Sequence, residues 1–270
     1  MAELLSELTT ALDAGDLSSA VRAGERAVAA DPKSSEAHDL LGRAYGLKAK
    51  ESKVLEQVRL AKKARAFFAR AVELDPANAA ALADLALYDM RAPSFLGGGK
   101  EKAHREAERV LELDSARGHE LLGELAERKK DLALAESEYR SALEAEPREN
   151  RARRSLSDVL VRQKRFFGAR QLWLERRETD PSDPTVEYEL AGIALASGKD
   201  LDAAVEQLET CLSRLRGSGD EPHPADVHER LARIYQKLGR RQEASVELEA
   251  ARRLASTRRD WRQGISASEK

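Results

Sequence analysis

Small and large apolar residues recur along the chain in a fixed order. An alanine is followed by a large residue four positions on, a small residue three further, and a proline five beyond. The order is complete at Ala64, Phe68, Ala71 and Pro76 and at Ala135, Tyr139, Ala142 and Pro147. It returns with one weak position at Ala20, Gly24, Ala27 and Pro32 and at Ala169, Trp173, Arg176 and Pro181. Three- and four-residue spacings place these side chains on one face of a helix. The Asp-Pro pairs at 31–32, 75–76 and 180–181 end such helices, because the residue before proline is pushed out of helical geometry.

A second pattern lies upstream: an anchor, Leu-Gly, then tyrosine. It reads His38, Leu41, Gly42, Tyr45, and again His228, Leu231, Ala232, Tyr235, with Leu122-Gly123 and Ala191-Gly192 as partial copies. In the regular copies a glycine or alanine precedes the downstream alanine by a constant interval, as in Gly123 to Ala135, Gly192 to Ala204, and Ala232 to Ala244. These residues resemble the tetratricopeptide repeat, a helix–turn–helix unit. The resemblance covers nearly the whole chain as seven repeats, about 1–34, 35–78, 79–115, 116–149, 150–183, 184–222 and 223–258. Residues 259–270 are left as a capping tail in which Trp261 covers the last repeat.

The resemblance implies an all-α, right-handed α-solenoid and a single domain over 1–258. Small residues such as Gly42, Ala64, Gly123, Ala135, Gly192, Ala204 and Ala244 let helices cross closely. Leu41, Tyr45, Phe68, Leu122, Tyr139, Trp173, Leu231 and Tyr235 fill the space around them, and Pro76, Pro147 and Pro181 close the units. One helix pair cannot bury both its faces, so stacked neighbours share one thin core. The family uses the concave groove of such a stack to hold peptides or helices, which implies a scaffold or adaptor with a protein partner.

Composition agrees with a thin core. Aromatic residues are only 4% of the 270 residues and charged residues 35%, too few large rings for one deep interior. Abundant Ala, Leu, Glu and Arg favour helix. With 46 basic and 48 acidic residues the net charge is −2, which singles out no general nucleic-acid or membrane-surface binder. The single cysteine, Cys211, cannot form an internal disulfide and suits a reducing compartment. No signal peptide and no run long enough to span a bilayer are visible, so a cytoplasmic location is the default expectation.

Two repeats depart from the unit length. Repeat two carries about ten extra residues between Tyr45 and Ala64. Val54, Val58, Ala61, Ala64, Phe68 and Ala71 continue one helical stripe, so the second helix is expected to start early and project. Its outer face is basic. Repeat three carries about five extra residues at the equivalent turn, 92–100, whose three glycines are expected to give a mobile loop bearing Phe95 and Leu96. The paired insertions resemble a bacterial subset of the family with an Ala-Pro…Gly-Gly-Gly-Lys turn. Both fall on one edge, where Val54, Leu55, Val58, Phe95 and Leu96 are expected to be neighbours. They form either an apolar protein-binding patch with a basic rim or a loop folded back to cap the projecting helix.

Gly97-Gly98-Gly99-Lys100 lacks the first glycine, the Ser/Thr and the preceding strand of a phosphate loop and reads as a flexible turn. None of the five histidines pairs with another at metal-site spacing, and no nucleophile–base signature appears, so no metal, no cofactor and no catalysis are expected. His38 and His228 hold equivalent repeat positions, which points to packing. Repeat five is basic. By register Arg151, Arg154 and Arg162 lie on its inner helix, in line with Arg117 and Arg128 one repeat earlier. Such a row suits an acidic peptide or a carboxyl terminus. The alternative is an RNA-associated repeat protein using the same arginines with Phe166, Phe167 and Trp173; the plainer reading has these rings buried between helices. The paired Asn and Lys of the chaperone-clamping members are not matched, since Asn78 and Asn150 fall elsewhere in the repeat.

Overall fold

A computed structural model of the chain describes residues 1–215 and 222–257. The described residues hold fourteen α-helices, one short 3-10 turn and no strand. They divide into two compact units, one of Met1–Arg148 and one of residues 149–257. The first comprises α1 (Ala2–Asp13), α2 (Leu17–Ala30), α3 (Ser35–Glu51), α4 (Val54–Leu74), α5 (Ala79–Arg91), α6 (Lys100–Leu113), α7 (Ser115–Arg128) and α8 (Leu132–Ala145). The second comprises α9 (Asn150–Arg162), α10 (Phe166–Thr179), α11 (Pro184–Ser197), α12 (Leu201–Arg214), α13 (Pro224–Lys237) and α14 (Arg241–Thr257). The tail, with Trp261, lies outside the described residues.

Helices start at capping side chains. Asp16, Ser34, Asn78 and Asp131 each accept from a backbone N–H three residues on, filling a donor that the first turn leaves open. Helices stop where the proline rule requires it. Asp31, Asp75 and Asp180 sit at φ/ψ of −138/92, −140/95 and −144/86, extended ahead of their prolines. Each carboxylate then accepts from the N–H two residues further, of Lys33, Ala77 and Ser182. Asp114 adopts the same geometry, φ −143 and ψ 96, with Ser115 and no proline after it. It closes α6 and caps α7 at once, so no linker separates the two helices. They meet so closely that a Cβ on Gly118 would lie 2.3 Å from the Leu111 Cα.

Ring against small residue is the repeated packing unit. A Cβ on Gly42 would lie 2.7 Å from the Phe68 ring, and one on Gly123 would lie 2.6 Å from the Tyr139 ring. Leu41, Tyr45, Ala64, Phe68, Ala135 and Tyr139 are buried in the first unit, and Trp173, Ala204, Leu231, Tyr235 and Ala244 in the second. Three details differ from the sequence reading. Leu122 is only half-buried, and its neighbour Leu121 takes the core position. Gly192 faces the Arg230 guanidinium of the following repeat, leaving Ala191 to pack with Ala204. Trp173 is fully buried, but Phe166 is half-buried and Phe167 is 76% exposed, so the rings of repeat five are not all interior.

Within each unit the first helix of a pair packs on its own second helix and also on the first helix of the next pair: α1, α3, α5 and α7 in one, α9, α11 and α13 in the other. The first helices therefore lie side by side, presenting a face that the second helices do not cover.

Candidate functional site

The first-helix face of the first unit is laced by ion pairs running from helix to helix. Arg43 of α3 donates to Asp84 of α5, and Arg91 of α5 donates to Glu124 of α7 at 3.0 Å. Along α7, Arg128 also reaches Glu124 at 3.7 Å, and Arg117 pairs with Glu120 at 2.5 Å. In the second unit Arg154 of α9 meets Glu189 of α11 at 2.9 Å. From α13, Arg230 donates to the Tyr188 carbonyl with its guanidinium over the Tyr188 ring, and Lys237 donates to the Leu195 carbonyl at 3.0 Å. In place of the expected positive row, Arg117 and Arg128 in the first unit and Arg154 in the second each have a carboxylate partner. Arg151 and Arg162 are exposed near the two ends of α9.

One carboxylate of this face is nearly closed off. Asp39 is 4% exposed, meets Arg43 at 3.3 Å, and has one oxygen without a hydrogen-bond partner among the described residues. Burial, then the charge of Asp84, pushes its carboxyl up to about 7. Glu106 on α6 is pushed up to about 7 by burial and by Asp89. Both native values lie above the ordinary carboxylate range, so between about pH 4 and 7 the folded protein binds more protons than the unfolded chain. Stability from these groups is full below their unfolded values and is lost as pH rises through about 7. The chain is expected to melt higher at about pH 5 than at pH 8, and the double variant Asp39→Asn, Glu106→Gln to narrow that difference. Equal narrowing by an exposed control such as Glu73→Gln would remove the assignment.

The repeat-two insertion is shared by both helices. α4 begins ten residues before Ala64, where α8 begins three before Ala135, which is the early start expected. But α3 also runs on to Glu51, and only Ser52 and Lys53 make the turn. Val54 and Leu55 are 73% and 89% exposed at the hairpin end; Val58 is half-buried.

The repeat-three insertion is a fixed turn. Ser94–Leu96 form the 3-10 turn, Gly97 takes φ 93, and Gly99 N–H donates to the Asp89 carbonyl at 2.8 Å. Tyr88 donates its hydroxyl to the Leu96 carbonyl, and Lys102 donates to the Gly97 carbonyl. A Cβ on Gly98 would stand 1.9 Å from the Ala92 carbonyl oxygen, so that glycine serves close backbone approach and not mobility. The turn rests on Arg65, whose guanidinium donates twice to the buried Asp89 carboxylate at 2.6 and 2.7 Å. Arg65 is eleven residues, or about 16 Å, along α4 from Val54. The expected edge is therefore two places: Val54 and Leu55 at the tip, and Phe95, 69% exposed, beside half-buried Leu96 at mid-helix.

The cysteine and three of the histidines are held by their surroundings. Cys211 is buried and its thiol is pushed up to about 12 by burial, far from a nucleophilic thiolate. His38 is buried and its Nδ1 bonds the Ser34 carbonyl at 2.8 Å. His119 and His228 share its repeat position, three residues before the Leu of the motif, and each meets a glutamate of its own second helix, Glu138 at 2.8 Å and Glu247 at 2.6 Å. Among the described residues no group of His, Cys, Asp or Glu could hold a metal ion, and no helix is long and apolar enough to cross a membrane.

Helix hairpins stacked side by side, with a small residue against a ring in each, define a helical-repeat protein. Tetratricopeptide repeat profiles match residues 5–48, 90–145 and 133–184, and again 225–257. The chain belongs to the tetratricopeptide repeat family. No curated protein sequence matches it. Among solved structures it is similar to a tetratricopeptide repeat protein from Parabacteroides merdae, 16% identical, with a TM-score of 0.60 over 99% of this chain and 98% of that one. It is also similar to a thermophilic member from Thermus thermophilus (18%, TM-score 0.56, 72% and 98%). A third likeness is to pilF of Pseudomonas aeruginosa (19%, TM-score 0.52, 87% and 97%). At these identities the likeness is one of fold, a fold typical of protein–protein interaction scaffolds.

Proposed function

We propose that the protein is a non-enzymatic adaptor that holds an extended or helical segment of a protein partner on the faces made by its first helices. The observation that carries this reading is the helix-to-helix lattice Arg43–Asp84 and Arg91–Glu124 across α3, α5 and α7. These side chains are partly exposed, arranged in alternating sign, and pre-positioned by their own pairing. A partner exchanges these pairs for its own with little ordering cost, so the lattice contributes more to specificity than to raw affinity.

Because Arg43, Arg91, Arg117, Arg128 and Arg154 each already have an acid, the partner segment carries both signs of charge, and an acidic tail alone gains less. The test is charge reversal at two exposed positions of the face, Glu36→Arg and Arg91→Glu. Partner recovered from the native host should be retained at least about tenfold less well by the double variant, with an unchanged melting curve. Retention equal to the parent would take the first unit's face out of the account. RNA is checked in the same preparation by the nucleic-acid absorbance ratio. With Trp173 interior, Phe167 is the one fully exposed ring of the basic repeat, a poor platform for stacking successive bases.

A further inference from the structure

The lengthened hairpin is well supported along most of its length. Ala49 and Leu60 are buried, and the Tyr45 and Phe67 rings stack at 5.5 Å. Beyond half-buried Val58 the support ends. Val54 and Leu55, consecutive residues in the first turn of α4, point into water, and residues 53–57 are all exposed. Lys53 immediately precedes them and Arg59, paired with Glu56 at 3.5 Å, follows one turn on; Lys50 and Lys62, further along the two helices, are exposed as well. Across residues 48–63 six bases face two acids, a net +4 on a chain whose total is −2. The hairpin is thus a basic projection with an aliphatic point on an otherwise acidic molecule.

We propose that this tip docks the protein on an anionic lipid surface, Val54 and Leu55 entering the headgroup–acyl boundary while the lysines lie among acidic headgroups. The inference is independent of the first-helix face. Shape decides the occupant. A convex pair of aliphatic side chains is covered on all sides only by a phase that yields around it, and the tip has no tryptophan or tyrosine of the kind that anchors protein interfaces in pockets. Charge agrees, since a cluster of lysines is complementary to an acidic leaflet and not to a neutral one. Two aliphatic residues alone bind a bilayer weakly, so the site requires both of its elements, the apolar pair and the basic rim.

Co-sedimentation of the full chain with vesicles tests this. The chain should pellet with phosphatidylcholine vesicles containing about 30% phosphatidylserine, and not with phosphatidylcholine alone. Binding should fall several-fold between low salt and about 0.3 M, as screening shortens. The double variants Val54→Asp, Leu55→Asp and Lys53→Glu, Lys62→Glu should each bind at least about tenfold less, with parental melting curves because every altered side chain is exposed. Leu55→Trp should gain a blue-shifted emission on adding acidic vesicles. A parent that ignores acidic vesicles, or a Val54→Asp, Leu55→Asp variant that binds them like the parent, overturns the proposal. So does loss of an acidic protein partner by that variant while vesicles are ignored, which would make the tip a protein site.

Discussion

Replacing Trp173 with alanine lowers stability by about 3–5 kcal/mol, the range for removing a large aromatic side chain from a closed core. The indole is 0% exposed, the largest of the fully buried side chains. It stands in α10 at the repeat position that Phe68 fills in α4 and Tyr139 in α8, where a ring closes the helix crossing. Unlike Tyr139, whose hydroxyl donates to Glu127 at 2.7 Å, its N–H has no hydrogen-bond partner among the described residues. Trp173→Phe therefore sheds a buried donor along with part of the volume and should cost clearly less than the alanine change. Chemical denaturation measures both. A Trp173→Ala variant that unfolds like the parent would mean that Ala169 and Trp173 are out of register with the other repeats.

Asp89→Ala is expected to cost about 3 kcal/mol, because it removes one partner of a buried ion pair. The carboxylate is fully enclosed, whereas the Arg65 side chain is 26% exposed and regains some water, which holds the loss to the lower end of the range. The consequence is more than a lost pair. Arg65 presses against Gly97, and the Asp89 carbonyl receives the Gly99 N–H, so the same residue anchors the 92–99 turn through both side chain and backbone. Asp89→Asn keeps the shape and removes the charge. It should cost less and should also let the Glu106 carboxyl fall toward its ordinary range, since Asp89 is a principal cause of its elevation. Phe95→Ser, on the same turn but exposed, is the control and should stay within about 0.5 kcal/mol. If Asp89→Ala is as mild as Phe95→Ser, the turn is held by its backbone bonds alone.

The repeats were legible in the sequence because their steric logic is local. A glycine must lie opposite a ring where two helices cross, and the interval between them is set by the length of a helix and its turn, as Gly123 and Tyr139 show. The Asp-Pro stops were legible because proline acts on the residue beside it. Asp114 escaped because it takes the same extended geometry without a proline. The sharing of the insertion between α3 and α4 escaped because Lys48-Ala49-Lys50-Glu51 contains no breaker, so nothing before Ser52 marks where the first helix ends. The glycine run misled because glycine serves both mobility and close approach, and only the Ala92 carbonyl against Gly98 tells them apart.

Arg117, Arg128, Arg151, Arg154 and Arg162 stand out in the sequence as a basic row, but Arg43, Arg91 and the acids that face them do not. Arg91 and Glu124 are 33 residues apart and Arg154 and Glu189 are 35, one repeat length, while Arg43 and Asp84 are 41 because an insertion intervenes. Opposite charges one repeat apart on successive first helices form no local charge run, so the pairing is visible only once the repeat length is imposed on the sequence.

The central claim is that partners lie on the first-helix face. It is tested most directly by placing a photo-crosslinking amino acid at single exposed positions and irradiating the chain with its partner bound. Glu36 and Arg91 lie on α3 and α5; Glu73 and Arg140 lie on α4 and α8. The account predicts partner adducts from Glu36 and Arg91 and none from Glu73 and Arg140. Adducts confined to the second-helix positions would contradict it.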